Sequence, residues 1–190
     1  MIYCRALNKL LAALKDHRGV AAVEFALLAP ILIILLIGTA ETVTSLNHSR
    51  KVDQVTSTVS DLVAQVKSVS SSDLNDIMKV SSYIMYPYSS NGLKIIVASV
   101  TFDDKGKPTT DWFKSNSGSN MGWARHAKPP FDIPESLVVP NSSIVVSQTS
   151  YTHVPMFASL AQNLFPRAAS ISMGDVAYMI PRVTNKVQGP

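Results

Sequence analysis

The chain has 190 residues, 46% of them hydrophobic and 16% charged, with 17 Lys and Arg against 13 Asp and Glu and a formal net charge of +4. Most of that excess belongs to residues 1–19, where Arg5, Lys9, Lys15 and Arg18 face only Asp16, so the rest of the chain holds 13 basic and 12 acidic residues. So even a balance disfavours a nucleic-acid binder, which needs a clustered basic face, and a single cysteine, Cys4, excludes an internal disulfide framework.

The basic segment 1–19 runs directly into an apolar stretch from Val20 to Ala40, 21 residues in which Glu24 is the only charge. About 20 apolar residues span a bilayer, and the positive flank predicts that the N-terminal end stays cytoplasmic. A cleaved secretory signal has a shorter apolar core followed by a small-residue cleavage site; this run is long and holds Pro30 and bulky aliphatics throughout. Glu24 is the anomaly. A carboxylate within a span costs a few kcal/mol and calls for a partner. Gly19 stands just before the run, where cutting would place a new α-amine on Val20 and make Glu24 the fifth residue. The bland alternative is a Glu24 solvated among headgroups near the edge of the span.

Arg18-Gly19 followed by Val20-Ala21-Ala22-Val23-Glu24-Phe25-Ala26-Leu27-Leu28-Ala29-Pro30 resembles the N-terminus of type IV pilin-like precursors of the tight-adherence (Tad) class, and more narrowly the TadE-like minor pilins or pseudopilins, including the aromatic Phe25 after the glutamate. The resemblance covers about thirty residues at the front of the chain. It implies a pilin-like α+β fold, a cytoplasmic leader at 1–19, cleavage between Gly19 and Val20 by a prepilin peptidase, and assembly through Glu24 and Phe25 with other Tad pilins and an inner-membrane assembly platform. It implies no cofactor and no small-molecule substrate. Residues 20–190 would remain after processing, which is long for a major pilin of this class and favours a minor role.

Past the span, residues 41–190 are expected to form one extracytoplasmic domain that includes the second half of a long helix. Val52, Val55, Val59, Leu62, Val66 and Val69 alternate spacings of three and four, one face of a helix predicted to run from Val20 to about Val69. The stripe is expected to pack on the domain. A short coiled-coil seam is the competing reading. Ser70 then caps a second helix, helped by Asp73 and Asp76 in its early turns. Leu74, Ile77, Ile84 and Met85 give that helix an apolar side, and Tyr86-Pro87-Tyr88 ends it.

Strands follow. Gly92–Phe102 is rich in Ile and Val, Asp103–Lys107 supplies a turn, and Thr109–Phe113 is the expected hairpin partner. Trp123–His126 is expected to add a short strand. Ser143–Val154 alternates and predicts a long strand with one half-buried face. Pro155–Pro166 reads as a surface excursion, and Val176–Val183 as a last strand that Pro181 assigns to a sheet edge.

No catalytic constellation is visible: there is no Gly-x-Ser-x-Gly elbow, phosphate-binding glycine loop or His-Glu-x-x-His. His48, His126 and His153 lie in unrelated sequence contexts, and with Asp103 or Asp104 they make a metal site only by coincidence. Lys105 and Lys107 stand where a calcium loop needs oxygen ligands. Trp112, Trp123, Tyr86 and Tyr88 are expected mostly in the core. Three readings follow: a processed pilin-like subunit without chemistry; an unprocessed single-pass scaffold or binding protein; and, far behind, an anchored hydrolase using His153 or His126.

Overall fold

The structure is a computed structural model that describes residues 19–155 and 170–190. It divides into two units, residues 1–43 and 44–190. The first helix, α1, is continuous from Val20 to Ala64, with Pro30 inside it. Within the first unit its apolar residues lie open on every side, from Val23 at 61% exposure and Phe25 at 68% to Leu36 at 71%. A soluble surface does not tolerate so wide an apolar sleeve, and α1 is long and apolar enough in this part to cross a membrane. Thr39 and Thr42 return their hydroxyls to the carbonyls of Leu35 and Gly38, each at 2.7 Å, so neither adds an unpaired polar group.

In the second unit α1 changes character. Val52, Val55, Val59 and Val63 are fully buried, while Leu62 is only half-buried and Val66 is exposed. The helix ends at Ala64 rather than near Val69, because the stripe reaches the core through Val63 and the chain then turns away. Arg182 donates its backbone N–H to the Ala64 carbonyl at 2.9 Å, occupying an acceptor that a further turn would have used. Val69 is buried, but in the connection rather than on the helix.

The second helix, α2, runs Ser71–Met85 and begins as the sequence implies: the Ser70 hydroxyl accepts from the Asp73 N–H and the Asp73 side chain accepts from the Ser70 N–H. This reciprocal box satisfies two donors that a helix start leaves free. Its buried face carries Leu74, Met78 and Met85.

The remainder is one antiparallel sheet of four strands in the order β2-β1-β3-β4, with β1 at Lys94–Phe102, β2 at Pro108–Ser115, β3 at Ser143–His153 and β4 at Ile171–Met179. The β1–β2 turn forms as expected, with Asp103 Oδ1 accepting from the N–H groups of Lys105 and Lys107 at 2.9 and 2.7 Å and Gly106 taking a φ of +77°. Valine and isoleucine on both faces of β1 suit its central place.

Three expectations are corrected. Trp123–His126 is irregular and ends in a turn, in which Trp123 is buried and His126 adopts φ +58°; the His126 N–H donates to the Thr110 carbonyl and the Thr110 N–H to the Ala127 carbonyl, so two backbone hydrogen bonds to β2 replace a strand. β3 is buried on both faces along its first half. Val145 and Tyr151 join α1, α2, Val97 and Trp112 on one side, and Ile144 and Val146 meet Ile96, Val100, Phe102, Trp123 and Ile133 on the other. The last strand lies at 171–179, earlier than expected, and Pro181 falls beyond it, though β4 is indeed an edge. The segment expected as a surface excursion, 155–166, lies almost wholly outside the described residues.

A tail of residues 182–190 closes the helix side. Gln188 bridges Ser68, Val187 is fully buried, and the Trp112 indole donates to the Val187 carbonyl at 2.9 Å. Gly189 lies against the Trp112 ring so closely that a Cβ there would collide with it.

Candidate functional site

The residues singled out by sequence lie together at the start of α1. Gly19 immediately precedes the helix and Val20 opens it. Among the described residues no atom lies within 4 Å of the position a Gly19 side chain would take, and its φ lies outside the left-handed region. The described part of the fold therefore makes no demand for glycine there. Glu24 and Phe25 are exposed a turn further on. Val20, Glu24 and the positions between them share one helical turn, so an amine on one chain and a carboxylate on another could meet if two such helices lay side by side with an axial offset. In an apolar medium such a pair acts through exclusion: its own net stabilisation is small, but either member left alone is heavily penalised. Residues 1–18, which hold the leader charges and Cys4, lie outside the described residues.

The second unit corrects one further expectation. His48 and His153 are neighbours, with ring centroids 4.3 Å apart and planes inclined by 32°. His48 also packs against Tyr88 at 4.1 Å and stacks over Tyr151 at 5.7 Å, and its Nδ1 lies 2.8 Å from the Thr44 carbonyl. His126 is elsewhere, exposed in its turn. The pairing had a signal in the sequence: counting back four from Val52 reaches His48, and the alternation of β3 that buries Tyr151 ends on His153. The rings pack on one another, and no group of three His, Cys, Asp or Glu among the described residues is placed to hold a metal. Of the aromatics, Trp112 and Trp123 are core, Tyr88 is half-buried and Tyr86 is exposed at 77%.

Carboxylates in this unit are engaged structurally. Asp111 accepts from Thr101 and pairs with Lys186 at 2.7 Å. The bonds from Ser70 hold Asp73 below the ordinary 3.8. Asp53 is raised from that value, first by burial and then by the nearby Asp175 carboxylate. A shallow groove of about 500 Å³ runs along Gln148–Ser150 and Ser172–Val176; Trp123 Nε1 donates to Gln148 Oε1 there at 2.7 Å. Its hydroxyls and amide can hydrogen-bond, but they do not assemble a nucleophile with a base and an orienting group.

Residues 19–60 match a family model described as TadE-like protein. No curated protein and no solved structure matches the chain.

Proposed function

Starting from a chain whose residues 19–60 are TadE-like, with an exposed apolar helix able to anchor it once in a membrane, we propose that it is a minor pilin or pseudopilin of a Tad-type pilus. The family is structural, and the chain acts by assembly and performs no chemistry. A prepilin peptidase cuts between Gly19 and Val20 at the cytoplasmic face of the inner membrane. The basic leader stays cytoplasmic, residues 20–40 span the bilayer and the 41–190 domain faces the periplasm. The freed Val20 amine of one chain is then neutralised by Glu24 of another, Phe25 fills the adjoining apolar contact, and other Tad pilins and the assembly platform supply the neighbours.

The observation that carries this reading is the coincidence at Gly19. A glycine on which no described residue imposes a conformational or steric need stands at the first residue before an exposed apolar helix, five residues from the sole charge of the span. Intact-mass measurement on chain recovered from membranes tests it. The expected mature N-terminus is Val20; a chain that keeps residues 1–19 throughout would instead be a static single-pass scaffold or binding protein.

A further inference from the structure

The half of α1 that enters the domain is held by an unusually polar seam. Its buried residues are His48, Val52, Val55, Thr56, Val59, Ser60, Val63 and Ala64, so three of its eight anchors are polar. Thr56 Oγ1 donates to the Val52 carbonyl at 2.8 Å and meets Thr149 Oγ1 at 2.6 Å, with both hydroxyls buried. His48 meets His153 at the far end of the same strand face. Helix positions 48, 52, 56 and 60 step along the helix by about 6 Å, and strand positions 153, 151, 149 and 147 step back by nearly the same amount. The ladder therefore continues from Thr56 and Thr149 towards Ser60 and Ser147. Both serines are fully buried, and neither hydroxyl has a hydrogen-bond partner among the described residues.

Two physical terms oppose docking here. A buried hydroxyl without a partner loses its hydration for nothing in return, and both serines recover it if the helix lifts away. The segment is also dense in valine, threonine and serine, with Val52, Val55, Thr56, Ser57, Thr58, Val59 and Ser60 nearly consecutive, and these are mediocre helix formers. The sheet beside it is held differently, since β1 is paired along both edges and its other face packs in a second cluster that no residue of α1 enters. We propose that residues 44–64 form a releasable strut, which undocks from β3 as a unit while the sheet stays folded, and that this release is a step in taking the chain into an assembly. The second half of the statement rests on the pilin reading above. An element of low local stability joined to a stable one is how proteins build such moving parts. The Ser60 and Ser147 hydroxyls set how easily the strut moves.

Hydrogen exchange on the full-length chain in detergent micelles tests the release itself. Amides of residues 50–62 should exchange at least about a hundredfold faster than those of β1, and Ser60→Ala with Ser147→Ala should slow them about tenfold, as expected when unsatisfied hydroxyls give way to apolar groups. Equal protection in strut and sheet, or no slowing in the double variant, would overturn the release. Incorporation is tested with Thr56→Cys/Thr149→Cys, since the two side chains already touch across the seam, with their oxygens 2.6 Å apart, and processing removes the only other cysteine. The reduced variant should enter sheared filaments at the wild-type level and the oxidised one at a tenth of it or less. Equal entry of both forms would overturn the role in assembly. A wild-type chain absent from every filament would sink the pilin reading, and the exchange result would then decide the release alone.

Discussion

At the residue scale, Glu24 and Gly19 are separable experiments. Glu24→Ala removes a charge from the span, so insertion and cleavage should survive while recovery in sheared filaments falls several-fold; normal recovery would remove the charge-pair account. No described residue crowds Gly19, so Gly19→Leu should leave the helix intact and stop processing, read as retention of the leader mass. Asp73 gives a pH prediction. Its native pKa lies below the ordinary 3.8 because Ser70 bonds the ionised form, so its contribution is fully present above the unfolded value and is lost as pH falls through the native one. The loss of stability below about pH 4 should therefore be smaller in Asp73→Asn than in the parent, measured by urea denaturation at pH 6 and pH 3. Ser70→Ala, which removes the cap hydroxyl, should cost about 1 kcal/mol.

The elements show how one sequence supports two environments in a single helix. From Val20 to Ala40 every direction is apolar, which suits lipid; from Val52 to Val63 the apolar positions collapse onto one stripe, which suits a sheet. Val59→Ala leaves a void against a fully buried position and should cost about 1–3 kcal/mol, read as a lower denaturation midpoint with unchanged slope. The 182–190 tail acts on the same core from the opposite direction. Gly189→Ala drives a methyl into the Trp112 ring, so it should cost about 1–3 kcal/mol as overpacking. Because Trp112 bonds Val187, the change should also alter its fluorescence. No pattern rule pointed to this strap, since its residues carry no period and two of their partners, Ser68 and Ala64, are more than a hundred positions away.

For the whole molecule, residues 44–190 form a compact unit of their own, so a chain starting at Thr44 should be soluble without detergent and keep the near-UV spectrum of its buried tryptophans. Full-length chain should instead stay with membranes through alkaline extraction. The features readable in advance were local ones. The bilayer-length apolar run, the lone glutamate behind a glycine, the Ser70 cap, the Asp103 turn and the alternation of β3 each depend on neighbours within a few residues, so the α+β class and the candidate assembly residues were legible without coordinates. Burial on both faces of β3, the helix stop at Ala64, the tryptophan turn in place of a strand and the meeting of His48 with His153 were not. Each is set by what lies across the sheet, and a side chain's period along its own strand carries no record of whether a distant loop covers the other face. The sequence by itself determined the bilayer-length apolar helix, its lone charge and most of the order of elements, because hydrophobic period and capping are short-range. Only the tertiary structure decided which hydroxyls met a partner in the core, because pairing across 93 positions, as between Thr56 and Thr149, is fixed by packing geometry.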